Sequence, residues 1–374
     1  MKILFAADMS FNYVPNLPSA AEAAGVMRET AAYFKRADFS VINLENIFGD
    51  PADHTPIEKS GPNLISHEGF CAYLDALKPT VVGLANNHGG DYGESALLQT
   101  AALLKKKGYT VIGAGKNAGE AYRPAILEKD GVRVAVIAVC ENEFGCAGRN
   151  SAGTAGYHLT RLTKAILSAK EAGVLPIVYF HGGNEYNPFP SPGKVALYRH
   201  FIDLGARAVI AMHTHCPQGY EWYEGCPIVY SMGNLFFPSE GEKYSTWYQG
   251  YMVCLDLDRD RLEILPYTFD FTHHQLMSGE EKERFLRYLA ALSAPIGDEA
   301  GLQAYFDAWC MIAGRDKYLK NVIDGTVNAR MKNAFSCEAH NELLTNTLKI
   351  LFEGREKEAE KWIPEIEKLQ KGEV

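Results

Sequence analysis

Short apolar runs recur along the first part of the chain, separated by stretches in which apolar residues return every three or four positions. The runs are residues 2–8 (KILFAAD), 39–45 (FSVINLE), 80–86 (TVVGLAN), 109–115 (YTVIGAG), 132–140 (VRVAVIAVC), 176–182 (PIVYFHG) and 207–213 (RAVIAMH). Their length and β-branched content predict strands. The amphipathic stretches 19–36, 67–77, 93–107, 160–172 and 193–204 predict helices, each stopping near Gly, Pro or a polar turn. Near-continuous apolar strands alternating with helices predict βαβ units and a sheet buried on both faces.

The pattern changes after residue 219. Strand-like segments follow one another to about 270 with no helical stretch between them, which predicts an antiparallel second sheet or a sheet edge. From 279 the chain turns charge-rich with helical spacing, as in EEKERFLRYLAALS and in AHNELLTNTLKILFEGREKEAEKWIPEIEKLQ. Residues 1–278 are therefore read as the main domain and 279–374 as a helical C-terminal appendage whose charge runs are solvated faces.

Composition narrows the function classes. With 374 residues, 47% hydrophobic and 22% charged, the chain reads as folded over most of its length. A formal charge of −9 argues against a nucleic-acid face, which needs clustered Lys and Arg. No segment approaches the roughly 20 apolar residues of a membrane span, and the opening MKILFAADMS is too short in its apolar run for a secretory signal. The expectation is a cytoplasmic protein without membrane insertion, its oligomeric state left open. Eight cysteines show no C-x-x-C spacing, so a zinc ribbon or redox motif is absent, and Cys140 and Cys254 read as reduced buried thiols.

The chemistry-bearing residues sit where the predicted strands end. Asp8, Glu45, Asn87 with His88, His181, and His213 with His215 each follow an apolar run. Ligand sites in α/β folds form at the carboxyl ends of strands. Taken singly, each has an ordinary reading: a turn cap for Asp8, a surface ion pair for Glu45, a turn for Asn86-Asn87, hydrogen-bonded structural histidines for the others. His213-Thr214-His215 is more specific, since alternate residues of a strand share a face. Together, carboxylate, amide and imidazole donors at one edge suit Mn, Fe, Co or Zn better than Ca or Mg. No G-x-S-x-G elbow and no G-x-x-x-x-G-K-[ST] loop is present. Glu185, Tyr186 and Gln218, with Asn86, are candidates to contact substrate; loop packing is the plainer alternative. His273-His274 reads as an exposed pair. His54, His67, His158, His200 and His340 have no ligand context.

The blocks AADM (6–9), VINLEN (41–46), GLANNHGGDYG (83–93), FHGGNEY (180–186), HTHCPQ (213–218) and YSMGN (230–234) resemble, in order, the signature blocks of the CapA family of poly-γ-glutamate capsule-synthesis proteins. The resemblance covers about residues 2–270. That family resembles the calcineurin-like metallophosphoesterases, which implies a four-layer α/β/β/α sandwich here, with the helical appendage outside it. It also implies roles. Asp8 and His215 would bind one metal; Asn87, His181 and His213 a second; Glu45 would stand at the bridging position. His88 would protonate the leaving group or stabilise the oxyanion, and Asp91 would orient it or cap a helix.

The sequence departs from the phosphoesterase pattern at three places. Ser10 stands where those enzymes commonly carry a histidine, Glu45 replaces an aspartate, and Ala211-Met212 replace Gly-His before H-x-H. The position at Asp8 and His215 should hence be the weaker, with one or two divalent metals bound, and Ser10 or Asn12 reaching at most a ligand water. The resemblance implies a hydrolase acting through metal-activated water on a phosphoester or on a γ-glutamyl amide, with an anionic small molecule or polymer as substrate. The alternatives are a non-catalytic component of capsule polymer synthesis or export, and nucleotide hydrolysis or sensing on the same scaffold.

Overall fold

A computed structural model describes residues 1–323 and 327–374. Six strands matter for the site: β1 (Lys2–Met9), β2 (Phe39–Leu44), β3 (Val81–Gly83), β4 (Val132–Cys140), β5 (Leu175–His181) and β6 (Ala208–Met212). They divide between two sheets. In the first, β1, β2, β3 and Thr110–Ile112 run parallel; Gln249–Asp256, Arg261–Phe269 and His274–Leu276 extend it antiparallel beyond β1. In the second, β4, β5, β6 and Cys226–Val229 are parallel, and Ala125–Lys129 and Tyr220–Tyr223 form antiparallel edges.

The alternation along β1 shows how the sheets stack. Ile3, Phe5 and Ala7 enter the core shared with the second sheet, while Leu4 and Ala6 enter the cluster packed with Leu74, Leu97 and Leu104 of the outer helices. Tyr179 of β5 reaches across the interface: its ring lies 6.0 Å from that of Phe5, and its hydroxyl donates to the Ala6 carbonyl. Phe180, one residue on, faces outward against Tyr198 and Phe201 of the helix Pro192–Asp203. Each such large apolar side chain contributes roughly 1.5–3 kcal/mol by burial. Helix, sheet, sheet, helix is the four-layer order.

Three features differ from the sequence reading. The late meander mainly widens the first sheet, the sheet-edge alternative, and the second sheet comes instead from the middle of the chain. Ala125–Lys129 is an additional edge strand, half of a hairpin with β4 through Asp130-Gly131, both at positive φ (51° and 79°), the geometry a two-residue primed turn needs. The helix expected over 19–36 is two, Ala20–Val26 and Arg28–Arg36. All eight cysteines are unpaired, with Cys254 only half-buried. Among the described residues no helix is long and apolar enough to cross a membrane.

Among the described residues from Gly279 onward, the regular elements are all helices. Phe285, Tyr288, Leu289 and Leu292 of the helix Gly279–Ser293 join the core of the second sheet. A separate cluster around Phe306, Trp309, Met311, Leu343 and Ile366 holds the later helices together.

His273-His274 is not an exposed pair. His273 is exposed, but His274 is 3% exposed, its Nδ1 2.6 Å from Thr30 Oγ1 and its Nε2 2.8 Å from the Leu235 carbonyl. A neutral ring satisfies both contacts, and burial pushes its pKa down to about 4. A histidine depressed in the folded state contributes stability that is present above its unfolded pKa of about 6.5 and lost as pH falls toward 4. Wild type should lose about 2–3 kcal/mol between pH 7 and 4.5 through this residue. Urea unfolding of His274→Gln at both pH values checks it; an equal pH-dependent loss in the variant refutes the assignment.

Candidate metal centre

Strand register brings the candidate residues together. Asp8 lies near the end of β1, paired in register with Asn43 of β2, and Glu45 follows β2 directly. His181 closes β5, in register with Met212, so His213 emerges beside it. Asn87 and His88 sit in the loop after β3. Asp8, Glu45, Asn87, His88, His181, His213 and His215 are all buried.

Glu45 is the centre of the arrangement. Its Oε1 lies 3.7, 3.6 and 3.9 Å from Nε2 of His88, His181 and His215. Among the described residues neither carboxylate oxygen has a hydrogen-bond donor, although the residue is fully buried. Burial, then the charges of Asp8 and Glu185, push its pKa well up. Two groupings with mutually close donor atoms share it: Glu45, His181 and His213, and Asp8, Glu45 and His215. Asn87 belongs with the first, its Oδ1 2.9 Å from His181 Nε2.

Several contacts pin the donors. Asp8 accepts from Asn43 Nδ2 at 2.7 Å and from the His213 N–H at 2.9 Å. His215 Nδ1 lies 2.8 Å from Asn234 Oδ1, and its ring packs on Trp247. His213 Nδ1 approaches His181 Nε2 to 3.0 Å, and burial together with the neighbouring imidazoles pushes the His213 pKa well down. The H-x-H pair does not lie on a strand: β6 ends at Met212, and His213 (φ 107°) and His215 (φ 56°) occupy a turn in sparsely populated backbone regions. Tyr186 (φ 64°) faces the same turn, its N–H donating to the Thr214 carbonyl. Non-glycine residues at such angles cost on the order of 1–3 kcal/mol each and persist where the surroundings over-determine them.

His88 presents Nε2 toward Glu45, while its Nδ1 lies 2.7 Å from Asp91 Oδ2. Lys59, its side chain buried, places Nζ 2.6 Å from Asp91 Oδ1 and 3.1 Å from His88 Nδ1. Burial, then Lys59, lowers the His88 pKa. Asp91 also accepts from the Leu64 N–H, which ties the 59–64 loop to the site.

The other candidates divide. Glu185 is exposed, and Tyr186 is half-buried with its hydroxyl 3.2 Å from Glu242 Oε1. Asn86 and Gln218, read as candidate substrate contacts, are engaged within the protein. Both amide hydrogens of Asn86 go to Asn43 Oδ1 and the Leu44 carbonyl, and its Oδ1 accepts from the His88 N–H. Gln218, 3% exposed, donates to the Asn187 carbonyl. Ser10 bonds Asn46 and Asn12 caps Ile65, so neither turns to the donors.

Asn43, Lys59 and Glu143 were missed. Asn43 stands two positions before Glu45 and pairs in register with Asp8. Glu143 follows β4 and was open to the strand-end rule; its Oε1 lies 3.7 Å from His213 Nε2, and burial raises its pKa. Lys59 stands in a loop with no motif.

A divalent cation fits this donor set. A fully buried carboxylate without donors costs several kcal/mol unless paired, and clustered imidazole lone pairs repel. One shared positive centre resolves both, and mixed carboxylate, amide and imidazole donors match borderline transition metals.

Two sheets packed between helices thus carry a cluster of carboxylate, amide and imidazole donors at their strand ends. Residues 5–239 match the family model described as bacterial capsule synthesis protein PGA_cap, and the chain belongs to that family. It is 29% identical over 220 residues to the capsule biosynthesis protein CapA of Bacillus anthracis, covering 57% of this chain and 53% of that one. It is 25% identical over 232 residues to the PGA biosynthesis protein CapA of Bacillus subtilis, covering 61% of each. A probable polyglutamine synthesis accessory protein of Mycobacterium tuberculosis is 30% identical over 236 residues, 59% of this chain and 60% of that one. The chain thus spans less than two thirds of these relatives' lengths. Among solved structures, a novel phosphatase from Mycoplasma pneumoniae aligns at 12% identity with a TM-score of 0.45, covering 72% of this chain and 94% of that chain. A protein from Thermus thermophilus aligns at 16% identity with a TM-score of 0.38, covering 70% and 97%.

Proposed function

We propose that the protein is a metal-dependent hydrolase whose substrate is anionic, with a phosphoester or a γ-glutamyl amide as the bond cut. The observation that carries this is Glu45: a fully buried carboxylate without donors, ringed by three imidazole Nε2 atoms. Asp8, Glu45 and His215 would hold one divalent transition metal, and Glu45, Asn87, His181 and His213 another. Such metals supply Lewis acidity and a water ionised near neutral pH.

The chain's own residues contribute the rest. His88, oriented through Nδ1 by Asp91, aims Nε2 at the donor cluster and, as the imidazolium with a proton on each ring nitrogen, can deliver the Nε2 proton to a departing oxygen or nitrogen. Lys59 bonds the same carboxylate and holds the loop that carries His88. Local positive charge from the metals lets an acidic chain accept an anion.

Metal analysis of the purified protein, with assays on phosphomonoesters, phosphodiesters and poly-γ-glutamate under added Mn, Fe and Zn, tests the reading. The expected result is one to two equivalents of metal and metal-dependent turnover of at least one class. Absence of both metal and turnover would end it. A second reading, a non-catalytic component of polymer synthesis or export, draws on the biosynthetic and accessory names of the relatives. Polymer production unchanged by His88→Asn would favour it.

A further inference from the structure

Beside the donor cluster lies a separate cavity of about 160 Å³, lined by Ser60, Lys317, Tyr318, Asn321, Arg330 and Asn333. All but Ser60 belong to the C-terminal helices, beyond the family-matched residues 5–239. Two of its lining residues are linked to the centre. Asn333 donates from Nδ2 to Glu143 Oε2 at 2.9 Å, and Glu143 faces His213. Ser60 follows Lys59, which bonds Asp91 and His88.

Three observations mark this wall as built for a ligand. Asn333 is 4% exposed, and its Oδ1 has no donor among the described residues. Glu143 fixes the amide orientation by accepting from Nδ2, so the spare group is an acceptor that needs an N–H or O–H. Lys317 and Arg330, both exposed, bring two cations to a chain of net charge −9. Finally, Lys317 and Tyr318 lie on Cys310–Leu319, a ten-residue π-helix. π-Helices are rare, and their commoner single-turn form is frequent at functional sites. This one is held by close packing: a Cβ on Gly314 would collide with Thr347 Oγ1.

We propose that this cavity is a substrate subsite that binds an anionic group bearing an adjacent N–H or O–H donor, held beside the bond that is cut. Lys317 and Arg330 pair with the anion, and Asn333 Oδ1 accepts from the neighbouring donor. The subsite deepens, and rests on, the hydrolase reading of the adjoining metal centre. The helical C-terminal region thereby sets which anion the centre receives.

Calorimetric titration of the metal-loaded full chain tests this, with N-acetylglutamate (carboxylate plus amide N–H), glutarate (no donor) and glycerol 1-phosphate (phosphate plus hydroxyl) as probes. Lys317→Ala/Arg330→Ala alters only exposed side chains, and its metal content, measured by mass spectrometry, should equal that of wild type. N-acetylglutamate or glycerol 1-phosphate should bind wild type about tenfold more tightly than the double variant, and N-acetylglutamate should bind better than glutarate. The preferred probe of the two distinguishes a carboxylate from a phosphate ligand. Equal affinities in wild type and double variant, or no binding of any probe to wild type, overturn the subsite. A chain without metal that still shows the tenfold difference keeps the subsite and removes the hydrolase reading.

Discussion

Glu45→Gln should abolish metal binding and, without metal, leave the fold more stable than wild type. The wild-type carboxylate is buried, lacks donors and lies beside Asp8, so ionising it in the folded state is costly. Glutamine keeps the shape and removes the charge. A carboxyl raised in the folded state contributes stability that is full below its ordinary pKa of 4.5 and lost as pH rises through the folded value. The variant's advantage over metal-free wild type therefore grows from pH 4.5 upward. An advantage of about 1–3 kcal/mol should raise the melting temperature by several degrees. Added Mn should then reverse the ranking: at a hundred times its dissociation constant it stabilises wild type by about 2.7 kcal/mol and the variant by nothing. Turnover should fall roughly a thousandfold or more, the scale of losing a preorganised charge-stabilising group. Paired scanning calorimetry and metal analysis decide it. A Glu45→Gln protein with full metal content and a metal-induced shift would show that Glu45 does not hold the centre.

The donor cluster was legible because parallel strands bring their C-terminal ends to one edge. Asp8, Glu45, His181 and His213 each stand within a residue of the end of a buried apolar run, and hydrophobic pattern alone locates such ends. Glu143 obeys the same rule after β4 and was equally accessible. The sheet to which each strand belongs was not, since apolar runs buried on both faces carry no mark of their partners. Ala125–Lys129 escaped for the opposite reason: as an edge strand it buries only Ala125 and Leu127 and looks like a polar linker. Lys59 and Asn333 act across 32 and 190 residues of sequence through hydrogen bonds that only the closed fold creates. The same holds for the His213–His215 turn, where strain is balanced by the Asp8 carboxylate accepting the His213 N–H.

His88→Asn should lower kcat by about 10²–10⁴ while leaving metal content and KM nearly unchanged. His88 is not among the metal-binding groupings, yet its Nε2 faces their shared carboxylate at 3.7 Å. Nδ1 is turned to Asp91, with Lys59 beside that carboxylate, so Nε2 is the atom left to meet the substrate. If that atom delivers a proton, its importance must depend on how much the leaving group needs one. A nitrophenolate departs without help; an alkoxide or amine does not. The loss in His88→Asn should therefore be large for alkyl esters or amides and at least about tenfold smaller for nitrophenyl esters. Asp91→Asn should follow the same ordering with a smaller loss, since it removes the orienting charge and keeps the imidazole. An equal loss across leaving groups would instead make His88 an electrostatic partner of the developing oxyanion, because that interaction acts before the leaving group departs.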